Sequence, residues 1–146
     1  MKTYTLQITQ EQAKTIQVAC ELLSRIQGGQ VREVFNHLPL RKGVDWDVYH
    51  EIQDELTKRM PEILKDGIDG WSSSFGVGHP DLHPYHDISW DLYQVLRHQL
   101  SWDDAMEKGI TENKGERKFP EMMGCCYDTP MKFGTEKLAK IERVKE

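Results

Sequence analysis

The sequence is poor in cysteine and has no long apolar run, and both shortages exclude classes of protein. Three cysteines, Cys20, Cys125 and Cys126, cannot pair completely into a disulfide framework, and an odd count favours a reducing compartment. No apolar run approaches the roughly 18 residues of a membrane span. The segment that follows Met1 lacks the apolar core of a secretion signal. We therefore expect a cytoplasmic protein that has no membrane partner.

Basic residues are also in short supply. The chain has 19 Lys and Arg against 24 Asp and Glu, which gives a formal net charge of −5. A nucleic-acid polymer is bound by a basic face that displaces counterions from the phosphates, so this balance argues against such a partner. It leaves room for a small anion held by one or two arginines.

The length of 146 residues fits one domain, 1–146, with a core of its own. Alternating apolar residues at Tyr4, Leu6 and Ile8 predict an opening strand. Thr9 and Gln12 form the capping-box pattern that begins a helix, and Gly28-Gly29 is expected to stop or bend that helix. Segment 31–38 predicts a short helix. Asp45 is predicted to cap a longer helix that Pro61 kinks or restarts and that Gly67 ends. A third main helix is predicted to start at a cap, Asp87. The segment 122–127 predicts a closing strand.

This order of elements favours the α+β class. We expect a small antiparallel sheet, made by the two ends of the chain, packed with three main helices. A lone pair of strands is only marginally stable. We therefore expect oligomerisation to complete or cover the sheet, and a hydrophobic content of 38% also leaves little core material to spare.

The third helix carries a polar and aromatic face. Trp90, Gln94 and Arg97 are spaced i, i+4, i+7, with Tyr93 beside them, so they share one side of the helix. An aromatic plate, an amide and a guanidinium suit a flat base that carries a phosphate. The competing interpretation is an amphipathic helix whose second face packs on a partner, with Arg97 in an ion pair.

A loop rich in serine and glycine precedes that helix. Gly76 and Gly78 allow the backbone to turn its N–H groups inward, as in anion-binding nests, and Phe75 can stack on a ring. The Lys-Ser/Thr pair of a Walker loop is missing. A tight turn remains the alternative explanation of the two glycines.

Histidines gather in the next segment. His79, His83 and His86, with Asp81 and Asp87, are the metal-like cluster of the sequence, because imidazole and carboxylate bind divalent transition metals. Their spacing fits no tetrahedral signature, and solvated loop histidines are the alternative. A bound metal would make a phosphoesterase the natural activity.

No catalytic constellation is recognisable elsewhere. The sequence has no Gly-x-Ser-x-Gly elbow, no His-Glu-x-x-His motif and no paired carboxylates that stand out as an acid and base. We predict no catalytic residue and no cofactor, and we expect binding rather than turnover. A third possibility is an acidic inhibitor of a host protein, although the charges are interspersed rather than blocked.

Several segments resemble a family of small phage proteins. The segment 22–30 resembles the family's Y-S-R-I-x-x-G-Q motif, which ends a helix. Segments 75–78 and 87–98 resemble its Y-G-I-G and Y-D-I-Y-Q-V-I-R-H blocks, and 127–130 with 135–141 are similar to its tail. The chain departs from the pattern at 27–29 and in the histidine-rich 79–86, so the particular ligand is left open.

The family is that of the Thoeris anti-defence sponge proteins. The resemblance implies a non-enzymatic homo-oligomer, a dimer or a trimer of dimers, in the cytoplasm of the infected bacterium. Such a protein sequesters a cyclic ADP-ribose immune signal, and some members also hold cyclic oligonucleotides. The resemblance places Phe75 as the stacking residue and Gln94 and Arg97 as ligand contacts. It places Arg25 and Gln30 near the pocket or the subunit interface.

Overall fold

The computed structural model describes residues 2–70, 74–108, 111–114, 117–120 and 129–144. Two long helices form the body of this part of the chain, with a shorter helix attached beside them. The elements, in chain order, are α1 (Gln10–Gln27), a 3-10 helix (Val31–His37), α2 (Trp46–Arg59), a 3-10 helix (Met60–Glu62), α3 (Tyr85–Lys108), β1 (Thr111–Lys114) and β2 (Arg117–Pro120). None of these helices is long and apolar enough to cross a bilayer.

Helix α1 begins and ends where its sequence predicts. Thr9 is extended, its side chain accepts a hydrogen bond from the Gln12 N–H, and the Gln12 side chain accepts one from the Thr9 N–H. At the other end Gly28 is the C-cap, and Gly29 turns the chain with a φ of 96°. A Cβ on Gly29 would lie 2.5 Å from Ile68 Cγ2, so both the turn and the close approach require glycine here.

The core lies between α1 and α3, which pack against each other. Ala13 of α1 contacts Leu96 and Leu100 of α3, and Ile8, Ile16 and Ile141 pack around them. Val95 and Leu96 of α3 are also buried. The small Ala13 lets the two helices approach closely at this point.

The predicted α+β fold is wrong. Residues 2–9 are not a strand in the structure, and Tyr4 and Leu6 are 89% and 71% exposed, so the alternating pattern is not matched by a buried face. The described strands are β1 and β2, which pair antiparallel with each other as a local hairpin, Thr111 opposite Pro120. The predicted closing strand, 122–127, lies outside the described residues. No sheet is therefore formed from the chain ends in the described part, which is mainly helical.

The segment 129–144 forms no strand, and part of it is bonded to side chains of α3. The buried Asp91 carboxylate accepts hydrogen bonds from the N–H groups of Phe133 (2.9 Å) and Gly134 (2.9 Å). The Gln94 amide donates to the Met131 carbonyl at 3.2 Å and accepts from its N–H at 3.4 Å. Polar side chains of α3 thus hold residues 131–134 against the helix.

Candidate functional site

A cavity of about 220 Å³ lies where the C-terminal end of α1, the glycine loop and the first turns of α3 meet. Its wall is drawn from three separate stretches of sequence. The lining residues are Ser24, Arg25, Gly28, Gln30, Ser74, Phe75, Gly76, Val77, His86 and Trp90. The part of the chain in which the sequence places a ligand therefore does enclose a space.

Five of the eight predicted ligand residues line this cavity: Arg25, Gln30, Phe75, Gly76 and Trp90. The remaining three, Gly78, Gln94 and Arg97, are not part of its wall. Gln94 and Arg97 lie one and two turns beyond Trp90 along α3, on the same side of the helix. The structure thus divides the predicted site into a cavity and an adjoining helix face.

The loop that carries Phe75 is held directly on the end of α1. The Phe75 N–H donates to the Gly28 carbonyl at 2.9 Å. A Cβ on Gly28 would lie 3.1 Å from His86 Nε2 and 3.2 Å from the Phe75 carbonyl oxygen. The absence of a side chain at residue 28 is therefore what allows loop and helix to meet.

Arg25 is the centre of a polar network in the cavity wall. Its Nε and Nη2 donate to Glu21 at 3.0 and 2.8 Å, its Nη1 donates to Gln30 at 2.9 Å, and Glu33 lies 3.7 Å away. Gln30 in turn donates to the Ser74 hydroxyl at 3.1 Å. The network connects α1 to the loop, so one function of Arg25 is to position Gln30 and Ser74.

The carboxylates of Glu21 and Glu33 also determine the electrostatic environment of Arg25. Burial alone would lower the pKa of Arg25, but the hydrogen bond and charge of Glu21, together with Glu33, raise it above its ordinary value. The guanidinium is therefore fully charged, with its charge balanced inside the protein. An incoming anion would meet Arg25 as part of an ion-paired group rather than as an isolated cation.

Tyr93 connects this network to the helix face beyond it. Burial raises the pKa of Tyr93, the nearby Glu21 adds to the rise, and Arg97 opposes it. Arg97 Nη1 donates to the Tyr93 hydroxyl at 3.3 Å, and its guanidinium carbon lies 5.8 Å from the centre of the Tyr93 ring. The charge of Arg25 also acts to lower the pKa of Tyr93, although of the two arginines only Arg25 lines the cavity.

The aromatic groups are arranged around the cavity mouth. Phe75 stacks on His79, with ring centres 4.1 Å apart and planes 24° apart. Trp90 packs against Tyr93 at 5.1 Å. One face of the Phe75 ring is therefore covered by an imidazole, and only its other face is available for a ligand ring.

The histidine-rich segment supports the loop. His86 is buried, and its Nδ1 lies 2.8 Å from an Asp87 carboxylate oxygen that also accepts the Gly78 N–H at 2.9 Å. Helix α3 begins at Tyr85, so Asp87 is in the first turn, and its prediction as the helix cap is wrong. His83 packs on Tyr85 with ring centres 4.5 Å apart. Among the residues that the structure describes, no three His, Cys, Asp or Glu side chains are grouped to hold a metal.

The predicted ligand residues leave out five residues of the cavity wall: Ser24, Gly28, Ser74, Val77 and His86. Ser24 and Gly28 are small residues spaced i, i+4 near the end of α1, and that spacing could have indicated a close approach on one face. His86 was considered as a metal ligand or a solvated loop histidine, whereas its buried ring forms part of the wall.

Comparison of the chain with protein-family models, with curated proteins and with solved structures found no match. What the cavity binds must follow from its own geometry and from the motifs that line it.

Proposed function

We propose that the protein binds and sequesters a cyclic nucleotide immune signal of the cyclic ADP-ribose type without cleaving it, as a phage anti-defence protein in the cytoplasm of the infected bacterium. The observation that carries the proposal is the cavity itself. It gathers Arg25, Gln30, Phe75, Gly76 and Trp90 from three stretches of the sequence. The same residues lie in or beside the segments that resemble the sponge family.

The aromatic wall provides the contact for a base. A planar ring entering the cavity meets Phe75, whose far face is already supported by His79, and Trp90 of α3. Stacking of this kind is worth about 1–3 kcal/mol per base and requires no bond to be broken. A wall made rigid before the ligand arrives adds affinity, because less side-chain freedom is lost on binding.

Arg25 provides the contact for a phosphate in the cavity. Arg25 uses Nε and Nη2 to hold Glu21, and its Nη1 now donates to Gln30. A phosphate oxygen replaces Gln30 at Nη1, while Glu21 keeps the guanidinium in place. Charge-assisted bonds of this type are shorter and stronger than neutral ones. The released Gln30 amide can then bond the edge of the base or the sugar.

The size of the cavity indicates how much of the ligand one chain holds. Its volume of about 220 Å³ is below the roughly 300–1,000 Å³ of sites that enclose a drug-sized molecule. One chain therefore accommodates the base and part of a sugar. The rest of the ligand extends along α3 towards Arg97 and Gln94, whose amide would exchange its bonds to the Met131 backbone for the ligand. A second subunit of a homo-oligomer covers it.

A capture experiment tests the proposal. The protein is incubated with cyclic ADP-ribose isomers, unbound ligand is removed by filtration, and the complex is heated and analysed by mass spectrometry. Sequestration predicts that intact ligand is released on heating. A chemically altered ligand would identify an enzyme, and failure to retain any isomer would contradict the proposal.

A pair of matched variants locates the site. Phe75→Leu keeps an apolar side chain but removes the ring, and we expect the dissociation constant to rise roughly fivefold or more from the lost stacking. Tyr85→Leu is the control, because Tyr85 belongs to the other aromatic–histidine pair of this region and does not line the cavity. Equal affinity of the two variants would show that the ligand does not stack on Phe75.

A further inference from the structure

Helix α2 exposes a row of apolar side chains. Val48, Ile52 and Leu56 recur every fourth residue, so they lie along one face, and they are 47%, 50% and 48% exposed. The helix meets the rest of the protein through its neighbouring face. There Gln53 is buried and accepts a hydrogen bond from Arg32 at 2.7 Å, and Tyr49 packs edge-on against Phe35. The apolar row is thus left on the outside of the molecule.

The charges at the two ends of this row are opposite. Asp45, the N-cap of α2, lies seven residues before Ile52, and Arg59, its last residue, lies seven residues after it. Seven residues are close to two helical turns, so both charges lie near the same face as Ile52. Arg59 is 77% exposed, and its ion pair with Glu62 is long, at 3.6 Å.

We propose that this face of α2 pairs with the same face of a second copy of the chain, antiparallel, about a two-fold axis beside Ile52. In that arrangement Val48 packs against the partner's Leu56, and Arg59 lies beside the partner's Asp45. The two-fold axis repeats both contacts, which makes the face complementary to itself. A parallel arrangement would place Arg59 beside its own copy and would be opposed by repulsion.

The proposal goes beyond ligand binding, because α2 contributes no residue to the cavity wall. It commits to a second copy since Val48 and Leu56 are equally spaced on either side of Ile52, and the equally spaced Asp45 and Arg59 carry opposite charges. Burying the row removes three half-exposed aliphatic side chains from water in each copy, which favours association. Ion pairs at the rim add selectivity for the antiparallel orientation more than affinity.

The first test is the mass in solution, measured by light scattering on a sizing column across a dilution series. Wild-type protein is expected at twice the 17.0 kDa of the chain or a multiple of that mass. Ile52→Glu places two carboxylates together at the axis and is expected to raise the dissociation constant at least tenfold. Val18→Glu is the control, because Val18 is a similarly exposed apolar residue of α1, 43% exposed. A wild-type mass of one chain at every concentration, or equal masses of the two variants, overturns the proposal.

Cross-linking tests the orientation without relying on a destabilised variant. Ile52→Cys is expected to form a disulfide with its own copy on oxidation. Val48→Cys mixed with Leu56→Cys is expected to cross-link more than either protein alone. Wild-type protein oxidised in parallel accounts for the native cysteines, and Ile63→Cys controls for exposure, since Ile63 is 77% exposed and lies outside the row. Cross-linking of Ile52→Cys no greater than that of Ile63→Cys contradicts an axis beside Ile52.

Discussion

Substitution of Gly28 by alanine is the sharpest test of how the cavity is built. The residue has an ordinary helical backbone, with φ −74° and ψ −5°, so alanine introduces no backbone strain. Its Cβ would lie 3.1 Å from His86 Nε2 and 3.2 Å from the Phe75 carbonyl oxygen. The Phe75 carbonyl belongs to the backbone, and the buried His86 ring is held by Asp87, so neither neighbour can swing away freely.

The expected cost follows from two opposing effects. Overpacking of a close contact costs about 1–3 kcal/mol, whereas replacing glycine by alanine restricts the unfolded chain and returns about 0.4–1 kcal/mol. We expect Gly28→Ala to lower the free energy of unfolding by about 0.5–2 kcal/mol. The hydrogen bond from the Phe75 N–H to the Gly28 carbonyl should lengthen as the loop moves away.

Gly76→Ala is the matched control in the same cavity wall. A Cβ at residue 76 meets no protein atom within 4 Å, and its φ is not positive. We expect this variant to be as stable as wild type or more stable by about 0.4–1 kcal/mol. Urea unfolding measures both variants, and hydrogen exchange of the Phe75 amide reports the loop contact. If Gly28→Ala is as stable as Gly76→Ala and its Phe75 amide stays protected, the proposed close approach is refuted.

Two further predictions concern α3. Asp91→Asn is expected to lower the free energy of unfolding by about 1–3 kcal/mol, because one amide oxygen replaces the two carboxylate oxygens that accept the Phe133 and Gly134 N–H groups. Urea unfolding measures this loss, and limited proteolysis reports whether 129–144 becomes easier to cleave. Unchanged unfolding and cleavage would contradict the contact. Burial raises the pKa of Tyr93 in the folded protein, so as the pH rises the unfolded chain loses this proton before the folded protein does. The contribution of the phenol to stability is therefore complete below about pH 10 and is lost as the pH rises further. Absorbance titration at alkaline pH should show a late-titrating tyrosine that disappears in Tyr93→Phe, and identical curves for the two proteins would refute the burial of this phenol.

Local signals in the sequence determined the helices well. The Thr9–Gln12 capping box and the Gly28-Gly29 pair predicted both ends of α1, and Asp45 was correctly predicted to cap α2. These features act within a few residues of one another, so they do not depend on the rest of the fold. The predicted continuation of the helix capped by Asp45 to Gly67 is wrong, because α2 ends at Arg59 and a 3-10 helix that contains Pro61 follows. Asp87 fails as a predicted cap because its carboxylate bonds the Gly78 N–H in the preceding loop.

The predicted fold class was wrong because a sheet depends on contacts between distant parts of the chain rather than on local signals. The alternation at Tyr4 and Leu6 predicts a strand only if a partner strand and a core cover one face. In the structure Ile8 alone of these three apolar residues packs on the core, while Tyr4 and Leu6 stay exposed. An alternating pattern by itself does not show whether a partner strand exists.

The candidate site also has features that the sequence predicted and features that only the tertiary structure shows. The sequence by itself predicted which residue types suit a base and a phosphate, and it pointed to Phe75, Gly76 and the face containing Trp90. Only the tertiary structure decided that Trp90 and Phe75 line the same cavity, that Arg25 is balanced by Glu21, and that Arg97 lies outside the wall. Residue chemistry and helical spacing are local properties, whereas the position at which a helix end, a loop and a second helix meet is fixed by the packing of α1 on α3.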